Sequence, residues 1–270
     1  MMNHDLERYR APQNFCIQAA DTVGKKGQPE NKLAREQWLI DHSPELDALQ
    51  NLFYADARRG LLLILQGMDT SGKDGTIRRV FHDVNPLGIR VHAFKSPSEE
   101  ELSHDYLWRI HHAMPKKGEI VIFNRSHYED VLITHVRGWI DEAEMNRRLR
   151  QINDFERMAV ENNIVVIKMF LHISKDEQRE RLQKRLDNTE KHWKFNLSDL
   201  EDRRLWDDFQ KQYEYVITAT NTDYAPWYIV PADSKSTRNV IVMQILLSHL
   251  RSLDMAYPKV DSSNWPKIVE

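Results

Sequence analysis

Leu61-Leu-Leu-Ile-Leu-Gln-Gly67-Met-Asp69-Thr-Ser-Gly72-Lys73-Asp74-Gly75 is the stretch that decides how this chain is read. Five consecutive aliphatic residues make a strand without polar alternation, which suits a strand buried on both faces. The strand runs into Gly-x-x-x-x-Gly-Lys and then into a helix. Gly67 and Gly72 let the backbone turn tightly and bring N–H groups close to phosphate oxygens. The following helix directs its positive end at the same anion, and Lys73 adds a point charge. A Gly-rich strand-to-helix turn with a chance lysine is the plain alternative, and the flanking strand and helix weigh against it. Gly67, Ser71, Gly72, Lys73, Asp74, Gly75 and Thr76 are the expected phosphate contacts.

Two carboxylates depart from the general loop. Asp74 stands where Ser or Thr usually holds Mg2+. It reads most simply as a first-turn acid that complements the helix dipole. Asp69 lies inside the loop, where it would repel phosphate unless a cation stood between them. It is therefore expected to hold Mg2+, or to position metal-bound water.

Outward from the loop, short apolar strands recur at 61–66, 89–94, 119–123, 164–171 and 227–231, separated by charged helical stretches. Ser98 with Glu101, Ser174 with Glu177 and Ser198 with Glu201 mark helix starts as capping boxes, and Asp141 with Glu144 is a looser version. Alternating units of this kind build an α/β fold with a doubly wound parallel sheet, whose ligands sit at the carboxyl ends of the strands. Residues 34–59 carry Leu39, Leu46, Leu49, Leu52 and Phe53 at helical spacing. Residues 1–33 are rich in Gly, Pro, Gln, Asn and Lys and read as an extended arm laid over a neighbour. The last 16 residues, with Pro258 and Pro266, read as a tail.

A second strand ends in chemistry: Ile120-Val-Ile-Phe-Asn124-Arg125-Ser126-His127-Tyr128-Glu129-Asp130. Many P-loop proteins place an Asp at this strand end for Mg2+. Here it is neutral Asn124, so Glu129 or Asp130, one helical turn on, would supply the charge. Arg125 can reach a phosphate with its planar fork, or simply pair with Glu129 or Asp130. His127 and Tyr128 read as packing. Further on, Arg181 and Arg185 share a helix face with Lys184 beside them. Such a helix can close on a transferring phosphate; the alternative is a solvated face with Glu177–Arg181 pairing. Arg147, Arg148 and Arg150 are a weaker basic run. Trp193, Trp206, Trp227 and Tyr228 read as core rather than as stacking platforms.

Composition bounds the function. The 270 residues suit one large domain with extensions, 41% are hydrophobic, and the net charge is −3. Nucleic-acid binders usually carry a basic excess, so none is expected as a partner, and any polyanion must meet a local basic cluster. Cys16 is the single cysteine, which excludes an intramolecular disulfide and suits a reducing cytoplasm. Residues 1–15 lack an apolar signal region, and the longest apolar runs are strand-sized, so no membrane association is expected.

Together these motifs resemble the polyphosphate kinase 2 family over about Leu46 to Leu250. The resemblance rests on Gly67–Gly75 with Asp after the lysine, Phe94-Lys95-Ser-Pro-Ser-Glu-Glu-Glu-Leu102, Phe123 to Val131, Trp193-Lys194-Phe195, Trp206-Asp-Asp and Ala225-Pro-Trp227. It implies a P-loop kinase fold like that of thymidylate kinase, with a helical lid at about 174–205 inside a domain spanning 46–254. Residues 1–45 then form the N-terminal arm and helix start, and 255–270 the tail. It also implies direct, reversible, Mg2+-dependent transfer of the terminal phosphoryl group of polyphosphate to a nucleotide, with Mn2+ as a substitute metal. Asn124-Arg-Ser with Glu129 is similar to the class III branch, which phosphorylates both AMP and ADP. The single catalytic domain argues against the two-domain class II.

The expected catalytic residues are Asp69, Lys73, Arg125, Arg181 and Arg185. Asn124, Arg125 and Glu129 belong to the acceptor side, and Asp69 and Glu129 are the metal ligands. Polyphosphate, AMP, ADP and ATP are the expected partners, in a homo-oligomer. Two rivals stay open: an ATP-dependent nucleoside or nucleotide kinase on the same scaffold, and a non-catalytic P-loop binding protein.

Overall fold

The computed structural model describes residues 4–24, 27–263, 265 and 266. In chain order the main elements are α1 (Lys32–Asp56), β1 (Gly60–Gln66), α2 (Lys73–Val80), β2 (Ile89–Ala93), β3 (Ile120–Asn124), α3 (Glu142–Glu161), β4 (Ile164–His172), α4 (Lys175–Leu186), α5 (Leu197–Arg204), α6 (Trp206–Thr220), β5 (Trp227–Pro231) and α7 (Lys235–Ser252). All five strands are parallel, in the order β2-β3-β1-β4-β5. The aliphatic β1 is central and buried along its whole length. Its register sets Leu65 beside Asn124 and Gln66 beside Phe170, so the ends of β1, β3 and β4 lie level. The phosphate loop, the 125–130 turn and the start of α4 all leave from those ends, at one side of the sheet.

α7 is buried on nearly every side, from Ser236 to Leu250, and packs against both α1 and α2. A helix buried on nearly every side belongs in the interior of a layered fold. α1 begins at Asn31, whose side chain accepts from Ala34 N, and stops at Ala57 in left-handed backbone.

The neighbour of the N-terminal arm is the sheet of its own chain. Ile229 N donates to Tyr9 O at 2.6 Å and Ala11 N to Trp227 O at 2.8 Å, closing the open edge of β5. Leu6, Tyr9, Phe15 and Ile17 are buried there. The tail carries no regular structure among its described residues, and Ala256 N donates to Asp56 Oδ1.

Two of the expected capping boxes differ. Ser198 is not a cap: Asn196 caps α5 and accepts from Ser198 N, because its short amide reaches the second N–H from one residue outside the helix. Ser174 does cap α4, but Glu177 turns to Arg181 instead of reaching back, and Ser174 N donates to Asp233. Ser98 with Glu101 makes the full reciprocal box. Among the described residues no helix is long and apolar enough to cross a membrane.

Candidate active site

Steric need explains the glycines of the loop. A Cβ on Gly67 would stand 2.7 Å from Leu171 O, and one on Gly72 would stand 2.0 Å from Arg238 Nη1. Both have positive φ, as does Thr70 at 64°. The loop is thus wrapped tightly at the start of α2. The hydroxyls of Thr70 and Ser71 are buried there without a hydrogen-bond partner among the described residues. Unpaired buried hydroxyls are costly, and a phosphate oxygen would satisfy them. Lys73 is buried and its Nζ donates to Gly67 O at 2.6 Å. Burial, and then the charge of Arg125, holds its pKa below the usual lysine value, with Asp69, Glu129 and Asp74 opposing.

The loop opens into a cavity of about 570 Å³. Ten of its lining residues are Lys or Arg and three are Asp. The basic cluster that a chain of net charge −3 needs for a polyanion is therefore local, as composition requires. Arg181 and Arg185 of α4 reach it in different ways. Arg181 is buried, and its guanidinium is committed to backbone: it donates to Thr70 O, Ser71 O, Ala232 O and Asp233 O between 2.7 and 3.1 Å, and to Glu177. Arg185 is more open and donates to Asp199 Oδ2 and Lys194 O. Arg181→Ala is thus expected to lower stability by about 3 kcal/mol, since it leaves buried carbonyls unpaired, and to lower kcat with it. Arg185→Ala, which leaves Asp199 without this partner, is expected to lower the melting temperature less than Arg181→Ala does and to act mainly on turnover. Thermal melts and kcat measured on both variants check this.

Arg125 closes the far side of the cavity. Its backbone is left-handed, φ 63°, and its Nη2 donates to Asp69 Oδ1 at 2.8 Å. The partner is therefore Asp69 rather than Glu129 or Asp130. Asp130 pairs with Arg109 instead. Glu129, and after it Asp69, holds the Arg125 pKa above its usual value. Burial, and also the charge of Asp69, pushes Glu129 up, with Arg125 and Lys73 pulling it down. Asn124 Nδ2 donates to Asp74 Oδ1 at 2.5 Å. An Asp at 124 would set two carboxylates against each other, so the neutral amide fits the first-turn acid of α2.

A second cavity, about 880 Å³, also meets Arg125 and is lined by Tyr106, Arg109, Glu129, Asp130 and Arg148 among others. Phe94, Lys95 and Arg125 line both cavities.

Some residues of the site were not legible beforehand. Arg238 of α7 is buried, donates to Ser71 O at 3.0 Å, and has its pKa lowered to about 9 by burial and by Arg181. The sequence signal was Lys235 and Arg238 one turn apart behind the Ser234 cap at a strand end. Trp193 corrects an expectation. It is 79% exposed at the cavity, with Lys194 Nζ 4.8 Å from its ring centre. The 3-10 turn Thr189–Lys194 that carries it buries no residue, so it has no core to enter. Trp206, Trp227 and Tyr228 are buried, as are His127 and Tyr128.

The polyphosphate kinase 2 (PPK2) family model matches residues 30–258. The chain belongs to the polyphosphate kinase 2 family. Among family relatives, the "AMP/ADP-polyphosphate phosphotransferase" of Meiothermus ruber is 52% identical over 267 residues, covering 98% of this chain and 100% of the relative. The "ADP-polyphosphate phosphotransferase" of Rhodopseudomonas palustris is 40% identical over 253 residues, covering 89% and 88%. The crystal structure of polyphosphate kinase 2 from Arthrobacter aurescens TC1 superposes with a TM-score of 0.92 at 40% identity, over 96% of this chain and 93% of that one. The α/β P-loop architecture expected from the sequence is thus that of a polyphosphate kinase 2. Within it the helices α4 and α5 with the turn between them stand over the loop, in the region expected as the lid.

α5 brings two carboxylates toward Asp69. Asp199 has its pKa raised to about 6, first by burial and then by the charge of Asp69. Asp202, paired with Arg137, is raised for the same first reason. A carboxyl raised on folding contributes stability below its unfolded pKa, and that contribution is lost as the pH rises through the folded value. Docking of α5 is therefore expected to strengthen from pH 7 to pH 5. Asp199→Asn should melt at a higher temperature, relative to the wild type, at pH 8 than at pH 5. An equal difference at both pH values would remove Asp199 from the pH dependence.

Proposed function

We propose that this polyphosphate kinase 2 transfers the terminal phosphoryl group of inorganic polyphosphate to AMP and to ADP, reversibly and directly. The observation that carries this reading is the meeting of two cavities at Arg125, one strongly basic and one mixed. A linear polyanion suits the first, along Lys184, Lys191, Lys194 and Lys235, with its end in the 67–72 loop. A nucleoside phosphate suits the second. Its terminal oxygen then reaches the polyphosphate end beside Arg125 and Lys73. The names of the Meiothermus ruber and Rhodopseudomonas palustris relatives support both substrates.

The chemistry asks little of the protein beyond positioning and charge. The acceptor's phosphate oxygen bonds to the terminal phosphorus, the bridging P–O bond breaks, and the shortened polyphosphate leaves with the negative charge. A phosphate's second pKa is about 6, so the attacking oxygen is already ionised near neutral pH and no general base is needed. Lys73 neutralises charge on the transferring group, and Arg125 orients it with a planar fork. Asp69 and Glu129 would hold Mg2+, or Mn2+ in its place. The donor set fits, because Mg2+ takes one or two carboxylates and completes its shell with water and phosphate. The Asp69 charge raises Glu129, so a cation held by these residues would offset that repulsion. When bound, the metal would supply further neutralisation of phosphate charge. The cytoplasm, where these nucleotides are made and used, is the compartment this reading carries.

Neutral Asn124 with Glu129 further along spreads metal-holding charge toward the acceptor side. One site then serves an acceptor with one phosphate or two. In a reaction with AMP, Mg2+ and polyphosphate, ADP is expected first and ATP after it, without added adenylate kinase. ATP formation should stop when an exopolyphosphatase removes the polyphosphate. A protein that stops at ADP and refuses added ADP contradicts the reading.

A further inference from the structure

Beneath the turn that carries Arg125 and Glu129 lies a buried polar cluster that the transfer itself does not use. Lys168, in the middle of β4, and Glu156, on α3, are at most 1% exposed. Lys168 Nζ donates to Glu156 Oε2 at 2.6 Å, to Thr220 O at 2.7 Å and to Tyr128 OH at 3.1 Å. Tyr128 OH donates to Glu156 Oε1 at 2.7 Å, and His127 Nε2 stands 3.2 Å from the same oxygen. Both turn residues are fully buried. An apolar pair of similar volume often serves stability as well as a buried ion pair does. Stability alone therefore gives no reason for charge at this place.

Geometry does give one. Along residues 125–130 the side chains divide between cavity and anchor. Arg125 and Glu129 line cavities. Ser126 is held by Gln66, and His127 and Tyr128 by Glu156 and Lys168, while Asp130, held by Arg109, also lines the second cavity. Arg125 itself is in left-handed backbone, which is costly for a non-glycine residue and so needs support from its surroundings. The hydroxyl of Tyr128, three residues on, is fixed by two charged groups from two different elements. Directional bonds of this kind set a position that apolar contacts would leave free to slide.

We propose that Glu156 and Lys168 are positioning residues: through Tyr128 and His127 they hold the 126–130 turn so that Arg125 keeps its strained backbone and meets the phosphate in register. The inference rests on the transfer assigned above to the site at Arg125. It predicts a defect in kcat rather than in polyphosphate binding, because the cavity's lysines are untouched.

The test is the double variant Glu156→Met/Lys168→Met, which removes both charges and leaves neither unpaired, beside Tyr128→Phe, which removes one hydroxyl and keeps the ring. The double variant is expected to fold, with far-ultraviolet circular dichroism like the wild type. Its kcat with AMP should fall by about tenfold or more, because small misplacements of positioned groups cost that much, while KM for polyphosphate stays within about twofold. Tyr128→Phe should show the same split in smaller measure, about threefold in kcat. A folded double variant with wild-type kcat overturns the inference. If the double variant fails to fold, Tyr128→Phe decides: a kcat equal to the wild type's overturns the proposal, and a lowered kcat at constant KM upholds it. Failure of the wild type to transfer phosphate from polyphosphate is a different result, which strikes the functional reading and not the anchoring.

Discussion

Lys73→Ala removes turnover with polyphosphate by a factor on the order of 10²–10³ while the protein stays folded, the usual consequence of losing one preorganised stabiliser of transition-state charge. Two structural facts support the split between activity and fold. Lys73 lies in the first turn of α2, outside the sheet, and its ammonium is satisfied by loop carbonyls rather than by a buried acid. Its pKa is held down by burial and by Arg125, so its charged form carries a desolvation cost that an arriving phosphate would offset. The methylenes of Lys73→Met keep the packing and serve as the control for it. Both steps, AMP to ADP and ADP to ATP, should fall together, because one loop serves both. Near-normal kcat in either folded variant would take the loop out of the mechanism.

Asp69→Asn is expected to raise the Mg2+ concentration needed for half-maximal rate and to cut the maximal rate strongly, because a hard cation favours carboxylate over amide oxygen. Its geometry adds a second consequence. Asp69 accepts from Arg125 at 2.8 Å, so the amide also loosens the arginine that both cavities share. Polyphosphate should still bind, since the change removes a negative charge from a basic cavity, and KM for polyphosphate should hold or fall. A titration of rate against Mg2+ at saturating polyphosphate reads both effects. An unchanged Mg2+ curve would make Asp69 a structural partner of Arg125 and nothing more.

Much of the fold was legible in the sequence for local reasons. The aliphatic run Leu61–Leu65 has no polar face, so it had to be a central strand, and β1 is buried throughout. Gly67 and Gly72 announced a tight turn, and the space a Cβ would need at each is filled. Ser98 and Asp141 each cap the helix that starts at the next residue, and local spacing is enough to see it. Where local spacing misled, as at Ser198, the helix starts one residue earlier at Leu197, so Asn196 is the cap and Ser198 donates its own N–H to it.

The sequence by itself determined the parallel α/β sheet, the phosphate loop and the need for a local basic cluster, because periodicity, glycine placement and net charge act within a few residues or over the whole composition. Only the tertiary structure decided who meets whom. Arg125 pairs with Asp69 across 56 residues, and Asn124 with Asp74 across 50. Arg181 and Arg238 converge on Ser71 O from 110 and 167 residues away. The N-terminal arm closes the edge of β5, and Trp193 stays at the surface. The meetings around the loop depend on which strand ends the sheet sets level, and the arm on which strand lies at the edge. Strand order and register follow from burying all the helices and strands at once, a condition that no window of sequence contains.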